Sequence, residues 1–133
     1  MKITHYSQFE AINAAEIEDA YSGVTMRRVI SEVDGSETSV MDVFEIAPNG
    51  ETPYHSHAWE HQVFVISGCG QCRDDSGEHE FREGDVIYIR PNEPHAFRNV
   101  GPDAITLVCV IPKAAVAAYH LAKLDQEKGA AYL

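Results

Sequence analysis

The rhythm of its turn signals most limits what this chain can fold into. Short segments rich in β-branched and aromatic residues (VTMRRVISEV, VMDVFEIA, HQVFVIS, VIYI, AFRNV, AITLVCVI) alternate with DGSET, PNGE, GCGQC, EGD, PNEP and GPD. Turns spaced roughly 8–12 residues apart imply many short strands, and such strands close into a sandwich or barrel. VMDVFEIA alternates, setting Val40, Asp42, Phe44 and Ile46 against Met41, Val43 and Glu45. RDDSGEHE reads as a polar hairpin tip, and AITLVCVI suits a strand buried on both faces. The first twenty residues are polar and mildly helical.

Pro112 ends this β region, and KAAVAAYHLAKLDQEK, rich in Ala, Leu and Lys, predicts a helix over 113–128. Ala114, Ala117, Leu121 and Leu124 share one of its faces, which is expected to pack on the sheet or on a second subunit. Gly129 is its natural stop. The expectation is an all-β chain forming a single domain over 1–133, with a barrel at about 23–112 and a terminal helix at about 113–128.

Composition narrows the partners. A formal net charge of −11 repels phosphate backbones and anionic lipid, so neither nucleic acid nor membrane is expected. No apolar run approaches the ~20 residues of a spanning helix. The acidic start MKITHYSQFEAINAAEIEDA has no apolar h-region, which points to a cytoplasmic chain. Three cysteines, Cys69, Cys72 and Cys109, do not make a disulfide framework. Cys69 and Cys72 form a C-x-x-C, but within a glycine turn and without a second pair, so they read as ordinary turn and strand residues.

The chemistry gathers in GETPYHSHAWEHQVFVISG, where His55, His57 and His61 lie within seven residues. Side chains two apart on a strand share a face, so His55 and His57 point the same way, roughly 7 Å apart along the backbone. Continued extension adds Trp59 and His61 to that face, with Val63 and Val65 as its apolar floor. Unliganded, such rings would have to be buried as polar groups and would compete for protons. A metal resolves that conflict, and imidazole suits manganese, iron, nickel, copper or zinc. GDVIYIRPNEPHAFRN delivers His95 after a proline-bounded turn, a fourth ligand from across the barrel.

These two segments resemble the paired motifs of small single-domain cupins. The first motif runs G-x5-H-x-H-x3,4-E-x6-G. His55, His57 and Gly68 match it, His61 stands at the usual Glu, and Asn49 stands at the opening Gly. The second runs G-x5-P-x-G-x2-H-x3-N. Gly84, His95 and Asn99 match it, with Arg90 at the Pro and Asn92 at the second Gly. The resemblance implies a jelly-roll barrel, the double-stranded β-helix, holding one divalent transition metal per chain. It maps the ligands onto His55, His57, His61 and His95. Glu60 competes with His61 for the third position: strand parity favours His61, and a bulge would reverse the faces.

Four neutral imidazoles leave the full 2+ charge on a metal, which then attracts an anionic or enolate ligand. The expectation is a metal-dependent enzyme, oxygenase-like, acting on a small polar molecule. A non-catalytic small-ligand binder and a metal-dependent isomerase or lyase are the alternatives, and a homodimer is expected. Phe97, Cys109, Trp59 and Tyr54 are candidate pocket-lining residues, Phe97 because it shares a face with His95. Of the neighbours Arg27 and Arg28, one should face in, either to a substrate carboxylate or to an ion pair. Arg90 is placed to bind a carboxylate at the barrel mouth, while His5, His79 and His120 belong to the surface.

Overall fold

The computed structural model describes residues 1–116. Among them are nine strands: β1 (Ile12–Asn13), β2 (Ser22–Ile30), β3 (Ser39–Glu51), β4 (His61–Ser67), β5 (Cys69–Asp74), β6 (Gly77–Arg82), β7 (Val86–Ile89), β8 (Ala96–Arg98) and β9 (Ile105–Pro112). Every pairing between them is antiparallel. They join in one curled sheet of order β6-β5-β8-β3-β9-β4-β7, with β2 on β3 and β1 on β2. No helix among the described residues is long and apolar enough to cross a membrane.

The long strand β3 is the hinge of this arrangement. Its first half pairs with β2 on one edge and β9 on the other, and its last residue, Glu51, pairs with Arg98 of β8. The sheet therefore folds over at that end, and its two arms enclose one core. Phe44, Ile46, Val63, Val65, Ile105, Leu107 and Ile111 of one arm meet Phe81 and Phe97 of the other. Val63 and Val65 face inward while Phe64 and Ile66 point out, which is the period-two alternation expected of β4.

Three sequence expectations are corrected. PNGE is not a turn between strands but the end of β3. There the register jumps from Val24↔Ile46 to Ser22↔Glu51, a bulge that bends the strand. GCGQC does not turn the chain either, since Cys69–Asp74 is β5 and only Gly68, at φ 88°, marks the break. Gly70 is needed where the arms close: a Cβ there would lie 2.6 Å from Cδ1 of Ile105 and 2.7 Å from the Arg98 carbonyl. AITLVCVI is fully buried on one face only, because Thr106, Val108 and Val110 lie half-covered on the outer side of β9.

The N-terminus holds two short 3-10 turns, Tyr6–Gln8 and Ala14–Glu16, instead of a helix. Residues 113–116 are helical, and the rest of the helix expected over 113–128 lies outside the described residues, as does His120.

Both asparagines that stand where the motifs carry glycine adopt left-handed backbone, Asn49 at φ 66° and Asn92 at φ 65°. Asparagine tolerates that region better than other side-chain-bearing residues, so the bends survive the substitutions. The Asn92 bend reaches the histidine segment, because its N–H donates to the His57 carbonyl at 2.7 Å. Asn92→Gly is expected to leave stability unchanged, whereas Asn92→Val should cost about 1–2 kcal/mol. Urea unfolding of the two variants checks this, and equal stability would remove the strain argument.

Candidate metal centre

The histidines are brought together by backbone pairing before any side chain takes part. The segment leading into β4 runs antiparallel to the segment leading into β8. His55 and His95 face each other across it, the His55 N–H donating to the His95 carbonyl at 3.1 Å and the His95 N–H to the His55 carbonyl at 2.9 Å. Their ring centroids are 5.0 Å apart. His57, two residues on, falls on the same side, 5.3 Å from His55 and 5.0 Å from His95. His61, the first residue of β4, closes the group at 4.6 Å from His57 and 5.1 Å from His95.

One ring nitrogen from each of His55, His57 and His95 lies within 4.8 Å of the other two. His61 joins this triplet through His57, their Nε2 atoms being 2.8 Å apart. Nitrogens bound to one ion at about 2.0–2.1 Å would sit roughly 2.9–4.2 Å from each other. The cluster is thus close to the dimensions that a shared ion requires.

Hydrogen bonds decide which nitrogens are available. His57 donates Nδ1–H to the Trp59 carbonyl at 3.1 Å, and His95 donates Nδ1–H to the Glu93 carbonyl at 2.8 Å. A carbonyl only accepts, so each neutral ring carries its proton on Nδ1 and leaves Nε2 as a lone pair. The His95 Nε2 is buried and has no hydrogen-bond partner. A buried acceptor left without a partner is costly, and a cation at the centre of the cluster would satisfy it. The residues present therefore fit a metal.

Burial and mutual repulsion hold His57, His61 and His95 toward the neutral form, the one that binds metal. Burial, then His95 and His55, hold His57 down at about 4. Burial, then His57, His95 and His55, hold His61 down at about 2. His95 is lowered chiefly by burial, against the raising effect of the Glu93 carbonyl.

The other expected residues divide. Trp59 stacks on His57, with centroids 4.3 Å apart and planes 7° from parallel. The buried Cys109 Sγ lies 3.1 Å from Nδ1 of His61. Its thiol is pushed well up by burial and the Asp42 carboxylate, against the opposing pull of Arg28. Glu60 turns outward, where its carboxylate accepts from Tyr88 and Gln62. Tyr54 and Phe97 line a separate cavity of about 470 Å³ with Cys72, Arg73 and Arg98. Tyr54 is exposed under the Arg73 guanidinium, 4.0 Å from its ring, and Phe97 is core, edge-on to Phe81. Arg27 pairs with Glu45, Arg90 with Glu93, and His79 with Asp74 at the surface.

The inward arginine is Arg28, which grips the buried Asp42 with two hydrogen bonds of 2.9 and 3.0 Å. Sequence reasoning gave Asp42 no role. Its signal was the alternation itself, which puts Asp42 in the inward row with Phe44 and Ile46. Asn99 is likewise buried, its side chain donating to the Ile46 and Asp103 carbonyls and accepting from Gly101 N–H. It locks the bend of β3 against the strand that delivers His95.

A curled antiparallel barrel with a histidine cluster built from two paired segments defines a class of small β-barrel proteins. Residues 42–111 match the Cupin domain model, and the chain belongs to that family. The uncharacterized protein MJ1618 of Methanocaldococcus jannaschii is 32% identical over 66 residues, 48% of this chain and 53% of that protein. The chain thus spans about half the length of this curated relative. The polyketide cyclase RemF from Streptomyces resistomycificus superposes with a TM-score of 0.79 at 32% identity, covering 85% of this chain and 80% of RemF. A sugar phosphate isomerase from Silicibacter pomeroyi shares the fold, with a TM-score of 0.71 at 19% identity over 84% of this chain and 75% of that one.

The depressed imidazoles predict acid sensitivity of the metal-free protein. An unfolded imidazole takes up its proton near the ordinary value of about 6.5. His57 and His61 in the fold resist until about 4 and about 2. Below about 6.5 the unfolded state binds more protons, so their contribution is whole above that pH and is lost as pH falls toward the folded values. Urea unfolding of metal-free protein from pH 7 to pH 4 should show this loss. His61→Gln should flatten the slope by about one proton, and an unchanged slope would contradict the assignment.

Proposed function

We propose that this chain is a metal-dependent cupin enzyme. Its substrate is a small enolisable carbonyl or phenolic compound, and its reaction is one that a Lewis acid promotes, with ring closure first among the candidates. The observation that carries this reading is the donor set: the imidazoles of His55, His57 and His95 converge, Nε2 of His57 and His95 carries a lone pair, His61 lies against His57, and Glu60 turns away from them. The likeness to a polyketide cyclase at 32% identity supports ring closure as the first reaction class to test.

His55, His57, His61 and His95 would hold one divalent transition metal. Bound there by neutral ligands, it supplies undiminished positive charge to an oxygen on which negative charge develops. The protein's own part is to position and to exclude water. Trp59 pins the plane of His57 by stacking, and the two carbonyl acceptors fix the orientation of His57 and His95. His61 and His95 are buried while His55 and His57 are half-buried, so a substrate approaches from the His55–His57 side. Val63 and Val65 continue β4 into the apolar core beyond His61, and Ile89 is the buried cross-strand partner of His61, an apolar setting that strengthens electrostatic contacts. An oxygenase, the first expectation from sequence, would use the same site and needs a redox-active metal and dioxygen.

The test joins metal analysis to a substrate mimic. Protein purified without added metal or chelator should carry about one transition metal per chain, and His57→Ala should lose it while keeping a β-rich circular dichroism spectrum. A 1,3-diketone added to loaded protein should bind as its enolate, seen as a shift in its ultraviolet band that His57→Ala abolishes, without dioxygen uptake. Uptake coupled to diketone loss would overturn the non-redox reading in favour of an oxygenase. Full metal occupancy in His57→Ala would overturn the site.

A further inference from the structure

We propose that the Cys109 thiol is a positioning group for His61, serving it as a hydrogen-bond donor before metal binds and as an acceptor afterwards. The inference rests on the metal-dependent reading of the site and concerns which nitrogen of His61 carries the proton.

The four rings are not held alike. His57 and His95 give Nδ1–H to backbone carbonyls, which fixes one tautomer in every state of the site. His61 has no carbonyl at its Nδ1. The atom there is Sγ of Cys109, at 3.1 Å, and both residues are completely enclosed, at 0% and 1% exposure. Sulfur is a weak donor and a weak acceptor, so this contact alone leaves the tautomer free.

The other side of the ring settles it for the metal-free protein. Nε2 of His61 lies 2.8 Å from Nε2 of His57, a hydrogen-bond distance. The His57 proton is committed to Trp59, so its Nε2 is an acceptor. His61 must then carry its proton on Nε2, and its Nδ1 must accept, which makes the thiol S–H the donor. A metal needs the opposite. It requires the Nε2 lone pair, so the His61 proton moves to Nδ1 and Sγ becomes its acceptor.

The protons balance without any being released by His61: one leaves Nε2, one arrives at Nδ1, and the thiol keeps its own. The displaced S–H has an acceptor close by. Asp42 is the cross-strand partner of Cys109 in the β3–β9 register, buried on the same inward row and gripped by Arg28, whose hydrogen bonds oppose the upward push of burial on its pKa. A carbonyl in the place of Cys109 would lock one tautomer, and an alkyl group would leave a buried Nδ1–H without any partner in the loaded state, a loss typical of those that weaken metal sites by about 10–100-fold.

The experiment uses the full chain, zinc as a diamagnetic probe, and long-range nitrogen–proton correlation to read the His61 tautomer. Wild-type protein should show Nε2–H without zinc and Nδ1–H with it. By chelator competition, Cys109→Ser, which also both donates and accepts, should keep wild-type zinc affinity. Cys109→Val should lose about 10–100-fold with the His57 and His95 tautomers unchanged. Cys109→Ala carries the same test if the branched side chain disturbs the fold. Wild-type affinity in Cys109→Val and Cys109→Ala, or Nδ1–H already present without zinc, overturns this inference and leaves the metal site standing. Wild-type protein that binds no zinc, cobalt, nickel, manganese or iron overturns both.

Discussion

Two backbone hydrogen bonds between His55 and His95 underlie everything the site does. They join the segment entering β4 to the segment entering β8, far apart in sequence, and set two imidazoles side by side, edge to face, before any ligand is present. His57 follows by the two-residue period of an extended chain. The Asn92 N–H then ties the His57 carbonyl into the same pairing, and Asn99 ties the bend of β3 to the strand beyond His95. The clustering of the rings is thus a consequence of strand pairing, and the side chains add orientation to a position the backbone has already fixed.

Orientation comes from how each ring disposes of its second nitrogen. A carbonyl decides the matter for His57 and for His95, while a thiol leaves it open for His61. His57, His61 and His95 also carry depressed basicity from burial and from their neighbours, which favours their neutral form in a chain whose net charge is −11. The acidic groups lie elsewhere. Glu60 faces outward, and Asp42, the carboxylate that does point in, is neutralised by Arg28. Such a buried pair is weak support for stability compared with apolar packing. Its place in the register is opposite Cys109.

Much of the fold, and the clustering of His55, His57 and His95, was legible in the sequence. The H-x-H spacing gave a shared face, and the alternation of HQVFVIS gave the floor of Val63 and Val65. Turn punctuation gave an all-β barrel. The two misplaced turns share one cause. PNGE and GCGQC carry residues that favour turns, but Asn49 and Gly70 serve inside or beside strands, one making a bulge and the other a close approach to Ile105. Local composition reports that the backbone is unusual at such places and not whether the strand continues. Contacts set by long-range register were invisible for the same reason: that Cys109 lies against His61 and beside Asp42 depends on how β9 aligns with β3 and β4. Tyr54 and Phe97, candidate pocket-lining residues from the sequence, line a cavity with Cys72, Arg73 and Arg98.

The proposed centre holds its metal by histidine nitrogen alone, from four residues. X-ray absorption at the edge of the metal that copurifies tests this most directly. The expected spectrum is a first shell of four imidazoles, completed by light oxygen donors and without sulfur. Cys109 sulfur within bonding distance, three or fewer imidazoles, or protein that carries and takes up no metal would contradict it.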